Sequence, residues 1–268
     1  MTPPETLKQC CAQLYESDFA KLLLGDSFHP GGVKLTERLG MLLQLTPQSR
    51  VLDIASGKGT SALFLAERFG CEVLGIDYSR QNVEQANAAA AAKGAYPRVS
   101  FQAGDAERLP LEDASFDAVI CECAFCTFPD KPAAAHEFAR VLRNRGRVGL
   151  SDLTRGPVLP KELDNLLAWV ACIADAQPVE SYIQYLRATG FRVEHTEPHD
   201  DALLEMVNQI RMKLLGAEIM VGLKKLALPN ADLSTAKQMA QAALAAIQQG
   251  SLGYSIICAA KSEDLTVS

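Results

Sequence analysis

Clustered basic residues are missing from this 268-residue chain. Its 26 Lys and Arg are outnumbered by 32 Asp and Glu, for a net charge of −6, and they form no basic run. Nucleic-acid binding is disfavoured, because phosphate contacts need clustered Lys and Arg. Long apolar runs are missing too: no stretch reaches the roughly 20 residues that cross a bilayer, so no membrane partner is expected. The N-terminus, Met1-Thr-Pro-Pro-Glu5, lacks a charged-then-apolar signal pattern. A cytoplasmic protein is expected, with its eight cysteines as thiols. No Gly-x-Ser-x-Gly elbow occurs, which argues against a serine-type triad. There is no internal repeat, and the sole low-complexity stretch is Ala88 to Ala92 inside a helical pattern.

What is present is an ordinary globular composition, 48% hydrophobic and 22% charged. The length suits one large α/β domain with a good core. Apolar runs predict strands near 50–55, 72–77, 98–102, 117–121, 146–152, 191–197 and 253–260. Helical patterns fall near 60–69, 79–93, 131–142 and 178–189, with Leu35 to Leu45 as the helix before the first strand. This alternation implies a doubly wound, seven-stranded, mostly parallel sheet with helices on both faces. Residues 5–24 read as an amphipathic helix, within an N-terminal helical cap over 1–46. The cofactor-binding core is expected over 47–200, a helical insertion over 201–250, and the last strand and tail over 251–268. In the insertion, Leu203, Leu204, Met206, Val207, Ile210 and Leu214 repeat at helical spacing. Pro229-Asn230 breaks before an alanine-rich helix, Ser234 to Gln248. The insertion either caps the active site or adds core packing.

Asp53-Ile-Ala-Ser-Gly57-Lys-Gly59 closes the apolar run Val51-Leu52 and opens the helical pattern Ser61 to Phe69. A strand, a Gly-rich turn and a helix cradle a nucleotide-like ligand, because glycines let it approach the backbone and leave helix N–H groups free. Twenty residues past Gly57, the run Val73-Leu-Gly-Ile-Asp77 ends in a carboxylate, expected to grip a ribose. Gly57-x-Gly59-x-x-Ala62 also fits the dinucleotide pattern. Two details favour S-adenosylmethionine instead. Asp53 stands four residues before Gly57, where an acid suits the cationic methionine end. Gly104-Asp105-Ala106 follows Val99-Ser-Phe101, where an acid can accept from the adenine amino group.

The ordered set Asp53…Gly57-x-Gly59, Asp77, Gly104-Asp105 and Phe116-Asp-Ala-Val-Ile120 resembles the class I methyltransferases over roughly residues 30–200. The resemblance implies S-adenosylmethionine as cofactor and an antiparallel last strand, Gly253 to Lys261. It implies a cofactor site of Asp53, Ala55, Ser56, Gly57, Gly59, Asp77, Tyr78, Gly104, Asp105, Ala106 and Cys121. Ala55 stands where that family usually carries glycine, a mild change that should not abolish binding.

Cys121-Glu-Cys123-Ala-Phe-Cys126 follows the fourth strand, and ligands bind at the carboxyl ends of strands in doubly wound sheets. Cys172 lies in the loop after strand five. Ile120-Cys-Glu-Cys123, Pro129-Asp-Lys131, Phe138-Ala-Arg-Val-Leu142, Ser151-Asp152 and Ala171-Cys172-Ile-Ala-Asp-Ala176 together resemble the arsenite methyltransferases. By that resemblance Cys123 and Cys172 are the catalytic thiolates holding trivalent arsenic. A third ligand comes from Cys126, Cys121 or a small thiol. Thiolates are soft ligands and trivalent arsenic is thiophilic. Its lone pair attacks the methyl group with no general base, so positioning carries the catalysis. Antimony, selenium or tellurium suits the same ligands.

Two other readings stand beside this one. The acceptor is a small organic molecule, with a base such as His29 or Glu122, or the cysteines hold zinc or an iron–sulfur cluster in a sensor or scaffold. Cys10, Cys11, Cys71 and Cys258 read as small buried hydrophobes. Tyr15 reads as core packing and His136 as structural. His195 and His199 show no partners at recognisable spacing.

Overall fold

Val51, Leu52 and Ile54 are fully buried because β1 (Arg50–Ile54) runs through the middle of a seven-stranded sheet. The computed structural model describes residues 8–9, 29–156, 158–163, 173, 175–223 and 232–262. The expected N-terminal helix beyond residues 8–9, with Cys10, Cys11 and Tyr15, lies outside them, as do Trp169, Cys172 and Pro229-Asn230. Helix α1 (Gly32–Leu42) precedes β1, and α2 (Thr60–Phe69), β2 (Glu72–Asp77), α3 (Arg80–Ala92) and β3 (Val99–Ala103) follow. Then come β4 (Phe116–Glu122), a 3-10 turn (Phe125–Thr127), α4 (Lys131–Val141) and β5 (Leu142–Arg155). A second 3-10 turn (Lys161–Leu163), α5 (Val179–Ala188), β6 (Phe191–Pro198), α6 (Asp200–Gly222), α7 (Leu233–Gln248) and β7 (Leu252–Lys261) complete the order.

The strand order is β3-β2-β1-β4-β5-β7-β6. β1 pairs in parallel with β2 and β4, so Val51 stands beside Val73 and Ala118. β7 is antiparallel to β5 and β6, as the resemblance implies. The chain steps outward from β1 to β3 and restarts on the other side at β4. That reversal opens a crevice beyond the carboxyl ends of β1 and β4, the usual ligand position in such sheets. Side chains on β6 alternate between more and less exposed, as on a sheet edge with one wet face. β5 is longer than its apolar core suggests, because it starts at Leu142, directly after α4.

Local chemistry sets several boundaries. Ser79 Oγ accepts from Asn82 N–H at the start of α3, and Asp130 and Asp232 accept from Ala133 and Thr235 N–H at the starts of α4 and α7. These caps satisfy N–H groups that helix starts leave unpaired. The helical insertion between β6 and β7 is present as α6 and α7. The pair pack on each other, and α7 packs on β7 and on the Lys161–Leu163 turn after β5. Among the described residues no helix is long and apolar enough to cross a membrane.

One sequence reading is corrected. His195 and His199 do have partners: their Nε2 atoms lie 2.7 and 2.8 Å from the two oxygens of Glu197. Arg38 from α1 grips the same carboxylate with two bonds, 2.9 and 2.8 Å. The spacing His-x-Glu-x-His brings both imidazoles to one carboxylate as β6 ends and α6 begins.

Candidate active site

The Gly-rich turn after β1 is held by the acid that ends β2. Gly57 N–H donates to Asp77 Oδ2 at 2.8 Å, and Asp77 Oδ1 accepts from Ser79 N–H at 2.8 Å and Asn82 Nδ2 at 3.3 Å. Ala55 and Gly57 take left-handed backbone, with φ of 56° and 53°. Gly59 is also left-handed, and a Cβ there would sit 2.4 Å from the Phe101 ring. Its glycine is therefore demanded by packing between the turn and β3.

A cavity opens at the crevice. Of the expected cofactor residues, Asp53, Ala55, Ser56, Gly57, Asp77, Tyr78, Gly104, Asp105 and Ala106 line it, and Gly59 and Cys121 do not. Asp53 is 2% exposed, and its Oδ2 has no hydrogen-bond partner among the described residues. Burial pushes its carboxyl well above the usual range, and the negative charges of Glu122 and Asp77 push the same way. A buried acid without a partner is costly unless a cation or donor meets it. Ser56 Oγ is a second buried atom without a partner there. These groups fit a cofactor with a cationic amino-acid end. At the far wall Lys8 Nζ donates to Asp105 Oδ2 at 2.7 Å and to Glu107 Oε2 at 2.5 Å.

The cysteines part company. Cys123 lines the cavity, half-buried, with a left-handed φ of 52° and its N–H donating to Ser151 O at 2.7 Å. A non-glycine residue held there is strained, and such strain clusters at functional sites. Cys121 lies inside β4, fully buried, its thiol pushed well above the ordinary range by burial. Cys126 is also fully buried, and its N–H donates to Asp152 Oδ2 at 3.0 Å. Neither lines the cavity. Among the described residues no three His, Cys, Asp or Glu side chains are grouped to hold a metal ion. Burial also raises Cys71 to about 11 and Cys258 to about 12.

Glu122, the last residue of β4, gathers a polar cluster that the sequence did not show. Its carboxylate accepts from Ser61 Oγ at 2.6 Å, from Thr36 Oγ1 at 3.1 and 3.2 Å, and from Ser151 Oγ at 3.4 Å. Tyr254 OH lies 3.0 Å from Ser151 Oγ. His29 Nε2 stands 3.6 Å from Glu122 Oε2, with both side chains nearly buried. The turn His29-Pro30-Gly31-Gly32 delivers the imidazole. Gly31 has φ 73°, and a Cβ on it would strike Leu35 at 2.4 Å. His29, Ser61 and Glu122 all line the cavity. Their hydroxyl partners, Thr36, Ser61 and Ser151, are scattered in sequence and carry no motif.

Residues 51–146 match the methyltransferase-domain family. The chain is 31% identical over 196 residues to 27-O-demethylrifamycin SV methyltransferase of Amycolatopsis mediterranei, covering 68% of this chain and 72% of that one. It is 27% identical over 206 residues to an arsenite methyltransferase of Halobacterium salinarum, covering 72% of this chain and 52% of that one. It spans about half the length of several other curated relatives. A solved Haemonchus contortus phosphoethanolamine N-methyltransferase 2 bound to S-adenosyl-L-methionine shares the fold. Its TM-score is 0.75 at 21% identity, over 91% of this chain and 56% of that one. A sheet reversed at β1 and β4, a turn pinned by Asp77 and these likenesses agree: the chain belongs to the class I S-adenosylmethionine-dependent methyltransferases.

Proposed function

We propose that this enzyme methylates a small organic acceptor bound against the Glu122–Cys123 end of the cavity. Bound in the cradle, S-adenosylmethionine supplies a methyl group activated by a positively charged sulfur. Asp77 and the neighbouring Tyr78 would hold its ribose, Asp105 and Ala106 its adenine, and Asp53 with the Ala55–Gly57 turn its methionine end. The observation that carries the choice of acceptor is the contrast at the end of β4. One described thiol, Cys123, reaches the cavity, whereas Glu122 there draws hydroxyl and imidazole groups from three other segments. Thiolates are the soft ligands a metalloid would call on; Cys121 and Cys126 are committed to the core, and Cys172 lies outside the described residues.

A second reading keeps trivalent arsenic as acceptor, held by Cys123 with Cys172. Two observations favour it: Cys123 is strained toward the cavity, and an arsenite methyltransferase is among the relatives. Radiolabelled methyl transfer to a panel separates the two. The panel contains catechol, 4-hydroxybenzoate, phosphoethanolamine, and arsenite with glutathione. Labelled organic product, reduced less than about tenfold in Cys123→Ser, supports the organic acceptor. Labelled arsenic alone, lost in Cys123→Ser, supports the metalloid.

A further inference from the structure

We propose that the end of α6 is a docking element for an anionic lipid surface, on which it seats an exposed apolar stripe. The solvent face of this helix changes character halfway along. Its first half carries Glu205, Asn208 and Gln209, all exposed, as on an ordinary surface helix. Further along, the same side carries Met212, Leu215, Ile219 and Leu223, spaced i, i+3, i+7 and i+11 on one helical stripe. They are 68%, 46%, 62% and 60% exposed. Six of the eleven large apolar side chains exposed among the described residues fall between Met212 and Leu223. The other side of the helix is already occupied. Leu203 and Val207 are buried in the main core, and Leu214 is buried with Ala236 and Ala240 of α7. The helix therefore gives one apolar face to the fold and presents a second to solvent. Contiguous exposed apolar patches mark protein or membrane contacts.

Charge selects the occupant. From residue 211 to residue 225 the sequence holds four basic residues, Arg211, Lys213, Lys224 and Lys225, and one acid, Glu218. That acid is met locally, since Lys237 Nζ of α7 donates to Glu218 Oε1 at 2.6 Å. The stretch is net basic in a chain whose net charge is −6. Apolar side chains flanked by Lys and Arg suit a helix lying in the headgroup layer of an anionic bilayer. A second copy of the chain fits less well. Basic residues bracket the stripe in sequence at both ends, so pairing it with itself, parallel or antiparallel, sets like charges against each other. About three turns of one helix also offer on the order of a few hundred Å², short of the roughly 800 Å² per partner that stable interfaces bury. Spanning a bilayer takes about 20 apolar residues, which this chain lacks; lying on its surface takes only one apolar face. Docking there is independent of which acceptor is methylated.

Co-sedimentation of the full chain with vesicles tests it. One set is pure phosphatidylcholine, and the other contains about one-third phosphatidylglycerol. Affinity should be at least roughly tenfold higher for the anionic set and fall as salt rises. The double variant Ile219→Gln, Leu223→Gln removes apolar contact at exposed positions. It should bind anionic vesicles at least roughly tenfold more weakly, with an unfolding midpoint within about 2 °C of wild type. Gln209→Ala, on the polar half of the same face, should bind as wild type does. Binding to neither vesicle overturns the proposal, as does wild-type affinity in the double variant or a loss in Gln209→Ala as large as in that variant. Equal affinity for the neutral set overturns the choice of an anionic surface. A concentration-dependent dimer in sedimentation velocity, dispersed by the double variant and without vesicle binding, gives the stripe to a second copy and overturns the lipid assignment.

Discussion

Asp77 Oδ2 accepts from the N–H of Gly57 at 2.8 Å, so one carboxylate both faces the cavity and fixes the turn that builds it. With Asp77 holding the cofactor as proposed, affinity and turn stability are coupled through a single side chain. Asp77→Ala should leave the part-buried amide of Gly57 and the buried amide of Ser79 short of an acceptor. We expect a loss of about 3 kcal/mol of stability, read by denaturant unfolding, and at least roughly tenfold weaker S-adenosylmethionine binding by calorimetry. Normal stability with weakened binding would mean that the turn holds itself.

Ala55 adopts φ 56°, a conformation that costs a residue with a Cβ about 1 kcal/mol or more. Glycine relieves that cost without touching a neighbour's chemistry. Ala55→Gly should raise the unfolding midpoint by roughly 2–4 °C, with methyl transfer retained. A lowered midpoint in a thermal scan would contradict the strain argument.

If Asp53 meets the cationic end of the cofactor as proposed, binding is a proton-linked event. Burial first, then the charges of Glu122 and Asp77, holds its carboxyl well above the ordinary range. Between the ordinary value of 3.8 and the raised one, the folded state binds more protons than the unfolded chain. Stability of the free protein therefore falls as pH rises through that window. A cation docked beside Asp53 lowers its pKa again and expels the proton. Binding enthalpies measured in buffers of different ionisation heat should differ for the wild type and agree for Asp53→Asn. Equal enthalpies for the wild type, at a pH inside the window, would contradict the linkage.

Glu197 gives the opposite sign. Its pair with Arg38 is the largest influence, and His195 and His199 add to it, so its carboxyl sits well below the ordinary value of 4.5. Its contribution to stability is complete above that ordinary value and disappears as pH falls through the depressed one. The difference in unfolding free energy between wild type and Glu197→Gln should thus be constant at neutral pH and shrink in acid. A difference that grows in acid would contradict it.

The sheet was legible because buried strands such as Val51-Leu52 and Val73-Leu74 read as apolar runs bounded by turns. The cradle was legible because Asp53, Gly57 and Asp77 keep fixed spacings along a strand–turn–helix–strand unit. What escaped was every contact that depends on the fold's closure. Lys8 meets Asp105 across 97 residues, and Thr36 and Glu122 meet across 86. Cysteine identity alone could not say which thiols face the cavity: Cys121, Cys123 and Cys126 are neighbours in sequence, and one of them lines it. The importance of Gly59 was legible but its reason was not, since Phe101 fills the space its side chain would need.

The central claim is that this methyltransferase acts on a small organic acceptor that no thiolate at the end of β4 holds. Its most direct test is the rate of methyl transfer to catechol, and to arsenite with glutathione, by Cys123→Ser side by side with wild type under saturating S-adenosylmethionine. The account predicts a methylated organic product whose rate of formation in Cys123→Ser stays within about tenfold of wild type. Methylated arsenic as the sole product, lost in Cys123→Ser, would contradict it.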